Sequence, residues 1–257
     1  MISDEIMDRM KRYETVTRFY LTPRTYLILR LDGRSFHTFT RNCERPYDQL
    51  LADAMDVAAQ ALAKDAMGCR LAYLQSDECS FLLTDFETHE SEMWFGGNIQ
   101  KIASVAASMF TAHFNQNWQT SHPGSSLATF DARVFIIPNR IEVENYLIAR
   151  QEDAARNSLN LLASHYFSHK QLHGKSSSDR HEMLHGIDVN WAGYPAHQKH
   201  GRVVRKNIRD RNVAYIHKKT GKLIEEIVQE SYWETDQNIP KFTSDRTYLD
   251  ALMPIQD

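Results

Sequence analysis

Apolar positions switch between strand and helix spacing along the chain, and each switch marks an element. Ile6, Met10, Tyr13 and Val16 fall at helical spacing, predicting a short amphipathic helix over 4–19 that Pro23 closes. Tyr26 to Leu31 reads as a buried strand ended by Asp32-Gly33. Pro46 and Asp48 introduce a helix over 48–67. Its apolar side is Leu50, Leu51, Ala54, Met55, Val57, Ala58, Ala61 and Leu62, and Gly68 stops it. Strands follow at Arg70–Gln75 and Cys79–Thr84, and the intervening Ser76-Asp77-Glu78 has room only for a tight reversal. Ile99, Ile102, Ala103, Ala106, Met109 and Phe110 predict a helix over 98–115. After a loop at 122–126, a strand runs from Phe130 to Ile137 and ends at Pro138.

The order is therefore β-α-β-β-α-β, an α+β fold of the split βαβ (ferredoxin-like) kind. It predicts an antiparallel sheet with both helices on one face and the other face open to a substrate. Beyond Pro138 the pattern changes. A helix over 141–165, a Gly-Ser segment at 174–178 and a short helix at 180–184 precede a strand pair, Val203–Lys206 with Ala214–His217. A turn at Lys219-Thr220-Gly221 leads to the apolar-acidic stretch Leu223–Val228. Residues 1–138 thus form the candidate catalytic domain, and 139–257 an elaboration packed against it.

Hydrophobic residues make up 42% and charged residues 25% of the chain, a composition that excludes disorder as the dominant state. No apolar run is long enough to span a bilayer, and the N-terminus does not read as a signal peptide. Cys43, Cys69 and Cys79 are odd in number and far apart, which argues against a disulfide framework or a zinc site. A reducing, cytoplasmic location is the simplest expectation. The histidines form no HExxH and read as surface or polar-network residues. A formal net charge of −3 excludes a bulk polycation, so contact with nucleic acid has to come from a local patch. One such run holds Lys199, Arg202, Arg205, Lys206, Arg209, Arg211, Lys218, Lys219 and Lys222, with Asp210 as its only acid.

In a β-α-β-β-α-β sheet the end of the first strand can meet the tip of the hairpin, bringing Asp32 to Asp77. Two such carboxylates repel unless a cation lies between them, and hard divalent ions such as magnesium take oxygen ligands and phosphates together. Gly33, lacking a side chain, lets the backbone approach a metal or a triphosphate, with Arg34, Ser35, Phe36 and His37 beneath the phosphates. Two ions, held by Asp32, Gly33 and Asp77, would serve phosphoryl transfer, with Arg34, Arg45 and Lys101 stabilising developing charge. Ser76 could donate a hydrogen bond near the sugar or phosphate.

RLDGRSFHTF at 30–39, YLQSDECSFLL at 73–83 and DARVFIIP at 131–138 resemble the tRNA-histidine guanylyltransferase superfamily, including its bacterial and archaeal like-proteins. RQEDAARNSLN at 150–160 and the segment from HEMLHGIDVNW to KHGRVV extend the resemblance over most of the chain. It implies a polymerase-like palm, two Mg2+ ions, ATP or GTP as activating nucleotide, nucleoside triphosphates as substrates and a homotetramer. It further implies metal-binding roles for Asp32 and Asp77, a backbone-carbonyl contact from Gly33, a serine role at Ser76 and the acidic neighbour at Glu78. Arg45 stands where the family has lysine before proline, which replaces a point charge by a planar fork.

The implied reaction activates a tRNA 5′-monophosphate with a nucleoside triphosphate, after which the 3′-hydroxyl of an incoming nucleotide attacks. The family's His-x-Asn-Asn element is here Ala155-Arg156-Asn157-Ser158, keeping Asn157 alone. That departure favours template-dependent repair of tRNAs with an incomplete 5′ end, guided by base pairing. Addition of a single guanosine to tRNA-histidine and a non-catalytic nucleotide- or RNA-binding module are the alternatives. In either RNA-binding reading, Asn157, Lys199, Arg202, Arg205, Lys206, Arg209 and Arg211 would face the RNA.

Overall fold

The computed structural model describes residues 4–216, 218 and 221–255. In chain order it holds α1 (Asp4–Thr15), β1 (Tyr26–Gly33), α2 (Phe36–Phe39), α3 (Gln49–Asp65), β2 (Cys69–Gln75), β3 (Glu78–Leu83), α4 (Ile99–Ser121), β4 (Phe130–Ile137) and α5 (Arg140–Tyr166). Then come α6 (His169–Leu172), α7 (Ser177–His185), α8 (Ala196–His200), β5 (Arg202–Ile216), β6 (Leu223–Asp236) and α9 (Thr247–Asp250). The strands form one six-stranded antiparallel sheet in the order β4-β1-β3-β2-β5-β6. Its first four strands have the expected β-α-β-β-α-β connectivity.

Strand alternation sorts the sheet's side chains into two cores. Leu27, Leu29, Leu31, Ala72, Leu74, Phe81 and Phe130 point to one face, where the small residues of α3 (Ala54, Ala58, Ala59) let α4 approach with Ile102, Ala106, Phe110 and Phe114. Asp48 caps α3 by accepting from the Leu51 N–H at 2.9 Å. Gly68 ends the turn after α3 at φ 79°, where a Cβ would lie 2.1 Å from the Thr84 carbonyl oxygen. Leu50 and Val57, assigned to the apolar side of α3 by spacing, are exposed.

The second face is less open than the sequence predicts. Tyr26, Ile28, Leu71, Tyr73 and Val203 make its lower half apolar, and α5 covers it with Val143, Leu147 and Ala154 while Ile239, Phe242, Leu249 and Met253 complete the layer. A third, smaller cluster ties the far end of α5 to α6 and α7 through Leu159, Leu162, Leu172 and Leu184. Beyond Ile28 this face turns polar, and α5 reaches over it through Tyr146, hydrogen-bonded to Ser80, and Arg150, paired with Glu78.

Two further elements differ from the periodicity reading. Helix α1 stops at Thr15 and buries none of its residues; Ile6, Met10 and Tyr13 are exposed along its apolar side, and so is Val16 just beyond it. The predicted strands at 203–206 and from 214 are instead parts of one strand, β5, which pairs with β6 from Val203↔Asp236 to Ile216↔Leu223. Charged and polar residues interrupt the apolar alternation between them, because β2 pairs only with Arg202–Arg205 and the rest of β5 forms a two-stranded ribbon with wet faces. His217, Lys219 and Thr220, the predicted strand end and turn, lie outside the described residues.

Candidate active site

The sheet register builds the site. Asp32, at the end of β1, lies opposite Glu78 of β3 on one side and Asp131 of β4 on the other. Two residues back, Arg30 lies opposite Ser80 and Arg133. A row of acids therefore runs across three strands beside a row carrying two arginines, on the face opposite α3 and α4. Ser76 and Asp77 form the two-residue tip joining β2 to β3, with Ser76 at φ 47°. That tip is tied to β1 where the Gly33 N–H donates to the Asp77 carbonyl at 3.2 Å. Asp32 and Asp77, 45 positions apart by subtraction of their numbers, are thereby brought together.

The charges at this end are unevenly balanced. Arg30 Nη2 bridges Asp32 Oδ2 at 3.4 Å and Glu78 Oε2 at 2.5 Å. Arg133 stands 3.9 Å from Asp32, and Arg150 of α5 stands 3.3 Å from Glu78. No basic side chain lies within ion-pair distance of Asp77 among the described residues; its carboxylate accepts from Ser76 Oγ at 2.9 Å. Burial raises the Asp77 carboxyl above its ordinary value, with Asp32 and Glu78 adding to the rise against the Ser76 and backbone hydrogen bonds. This is an oxygen-rich corner with an uncompensated acid, and the oxygens of Asp32 and Asp77 fit a hard divalent cation. Among the described residues, no group of three or more His, Cys, Asp or Glu converges to hold a metal, so any ion here would draw further oxygens from solvent or phosphate.

Gly33 is required sterically: a Cβ there would lie 2.2 Å from Phe36 Cδ2. Phe36 itself is core, packed against Phe39, Phe114 and Phe130, and does not face a ligand. Arg34, Ser35 and His37 are exposed around the four-residue helix α2, and the Arg34 N–H donates to the Thr129 carbonyl. Arg45 is exposed, with Nη2 donating to the Thr40 carbonyl at 2.9 Å. Lys101 is at the wrong end of the molecule. It sits in the first turn of α4 over the Phe95 ring, 13 residues and about 20 Å of helix before Phe114, which packs beneath Gly33's neighbour Phe36.

The basic run divides likewise. Arg202 is buried, its guanidinium held by Asp56 and the Ala52 carbonyl, and so is withdrawn from any RNA surface. Lys199 reaches back to the Ala192 carbonyl and the Trp191 ring. Arg205 pairs with Glu234 and Asp236, and Arg209 and Arg211 share Glu230, all from the acidic strand β6. Lys206 is exposed without an ion-pair partner among the described residues. Asn157 is exposed on α5, 3.4 Å from Asp153.

Arg30, Arg133 and Arg150 were not singled out from sequence as site residues. Arg30 could have been: it shares strand parity with Asp32 inside an otherwise apolar run. Arg150 gives no such signal, because its place beside Glu78 depends on how α5 docks.

A family model described as tRNAHis guanylyltransferase matches residues 7–138. The tRNA(His) guanylyltransferase of Schizosaccharomyces pombe is 30% identical over 95% of this chain and 97% of its own. That of Kluyveromyces lactis is 31% identical over 75% of this chain and 89% of its own. Among solved structures, a bacterial tRNA(His) guanylyltransferase-like protein in complex with ATP aligns with a TM-score of 0.84 and 39% identity, covering 96% of this chain and 98% of that one. The same kind of protein in complex with GTP aligns with a TM-score of 0.75 at 37% identity, covering 95% and 97%.

Proposed function

This chain belongs to the tRNAHis guanylyltransferase family and is a nucleotidyltransferase of it, and from that premise we propose that it adds a guanosine to the 5′ end of tRNA-histidine. The observation that carries the chemistry is the tie between Gly33 and the hairpin tip, which sets Asp32 and Asp77 side by side. The names of the curated relatives support guanosine as the nucleotide and tRNA-histidine as the acceptor. The ATP- and GTP-bound bacterial structures support either nucleotide as activator and the triphosphates as substrates.

In this reading Asp32, Asp77 and the Gly33 carbonyl hold two magnesium ions, which when bound supply Lewis-acid stabilisation of the oxygens of phosphoryl transfer. Ser76 orients the Asp77 carboxylate by donating to Oδ1. Arg30 and Arg133 flank Asp32 and offset charge that builds at the reacting phosphate. Arg34, Ser35 and His37, exposed just after Gly33, and the exposed Arg45 are the groups available to the triphosphate. Glu78, clamped by two arginines, shapes the site without touching the reaction.

Template-dependent repair of a tRNA with an incomplete 5′ end is the second reading, favoured by one observation. Ser158 stands where the resemblance asks for asparagine, and it is buried under the Tyr47 hydroxyl and Trp191 Nε1 rather than offered to RNA. Offering all four nucleotides and magnesium to 5′-truncated tRNAs that differ in the opposing base separates the two. Guanosine added whatever the opposing base supports the first reading; additions that follow the opposing base replace it with the second.

A cytoplasmic location accords with three free cysteines and with the finding that no helix among the described residues is long and apolar enough to cross a membrane. Assembly into four copies draws support from the uncovered apolar side of α1.

A further inference from the structure

Glu78 is 7% exposed, and two guanidinium groups from different elements close on its carboxylate. Arg30 comes from the neighbouring strand, and Arg150 comes from α5, with Nη1 at 3.3 and 3.5 Å from the two oxygens. Arg150 Nη1 also lies 3.6 Å from Asp153, one helical turn along, and Asp153 in turn holds Arg156 and Asn157 on the exposed side of α5. An unbroken line of charge-assisted contacts thus runs from Asp32 through Arg30, Glu78, Arg150 and Asp153 to that exposed side.

We infer that Arg150 is a positioning residue for nucleotidyl transfer, holding Glu78 against α5 and so fixing the hairpin tip that carries Asp77. The inference rests on the phosphoryl-transfer reading above and deepens it. Glu78 follows Asp77 directly and pairs in register with Asp32. Without Arg150, Arg30 alone has to neutralise a nearly buried carboxylate, and it is drawn away from Asp32. Glu78 is then free to turn toward the corner where Asp32 and Asp77 gather oxygens, changing the set of ligands that a cation meets. Removing one partner of a buried ion pair leaves the other uncompensated, which is why the effect should exceed that of an exposed pair. An ammonium in place of the guanidinium keeps the charge, but its shorter stem does not carry a nitrogen to where Arg150 Nη1 meets both Glu78 and Asp153.

The test uses the full chain as wild type, Arg150→Ala, Arg150→Lys, Glu78→Gln and the Arg150→Ala/Glu78→Gln pair. The reaction is incorporation of labelled GTP into a 5′-monophosphorylated tRNA-histidine transcript lacking its first guanosine, with ATP present and MgCl2 titrated. Arg150→Ala should lower kcat about 10- to 100-fold, leave KM for GTP within about threefold, and shift several-fold the magnesium concentration that gives half-maximal stabilisation in a thermal melt without nucleotide. The double variant should be no slower than the slower single variant, because both act on one contact. Arg150→Lys, which keeps the charge and tolerates folding best, should show the same magnesium shift with a smaller kcat loss.

An active wild type with Arg150→Lys unchanged in kcat and in magnesium dependence overturns the inference alone. So do multiplicative losses in the double variant. A wild-type chain that incorporates no nucleotide overturns the phosphoryl-transfer reading, and this inference with it.

Discussion

At the hairpin tip Asp77 meets burial and two neighbouring carboxylates with only Ser76 and backbone groups to offset them. An acid whose folded pKa is raised contributes stability that is present at low pH and lost as pH climbs through the raised value. At neutral pH the charge on Asp77 is therefore a cost to the folded chain when no cation is bound. Asp77→Asn should melt higher than wild type in a chelator at neutral pH, by about 2–4 °C for each kcal/mol relieved. That advantage should shrink as pH falls through the raised value, where the wild-type group is protonated as well. Magnesium should stabilise the wild type and not the variant, and the variant should incorporate no nucleotide; equal stabilisation of both by magnesium in a thermal melt would locate the ion elsewhere. The convergence of Asp32 with Asp77 was legible in the sequence because strand order alone dictates it. Arg133 and Arg150 were not, since they reach the acids from an edge strand and a docked helix.

Among the elements, the ribbon of β5 and β6 shows how a run of one charge in sequence can dissolve in space. Nine basic residues from Lys199 to Lys222 suggested a positive patch. The antiparallel partner β6 returns Glu230, Glu234 and Asp236 beside Arg205, Arg209 and Arg211, so much of that charge is answered within the ribbon. Charge counting along one strand misses this, because the opposing residue is set by register rather than by proximity in the chain. If the ribbon meets tRNA, Glu230→Gln releases two exposed guanidinium groups. Filter binding should then show tighter association at low salt and a salt dependence steeper by about one to two. Unchanged affinity and slope would place the RNA on another surface. The first helix, α1, tells the same story for apolar residues: its spacing is read correctly as amphipathic, yet none of the described residues covers it.

For the whole molecule, that bare side of α1 is the surface most in need of a partner, and the proposed four-copy assembly supplies one. Ile6→Glu together with Met10→Glu should shift the chain to smaller species in sedimentation velocity, with its far-ultraviolet circular dichroism preserved; an undisturbed assembly would assign the contact to other surfaces. The fold class and the first four strands were readable from hydrophobic period and turn residues. The joining of the two halves was not, because β2 looks complete from its own sequence and shows no sign that β5 pairs along its free side. That pairing has a practical meaning for anyone seeking a minimal enzyme. A fragment ending at Ile137 keeps Asp32 and Asp77 but strips β2, apolar on both faces, of its neighbour. What remains is an open row of amide and carbonyl groups ready to zip onto other molecules, so trimming the chain yields aggregates before it yields a smaller catalyst.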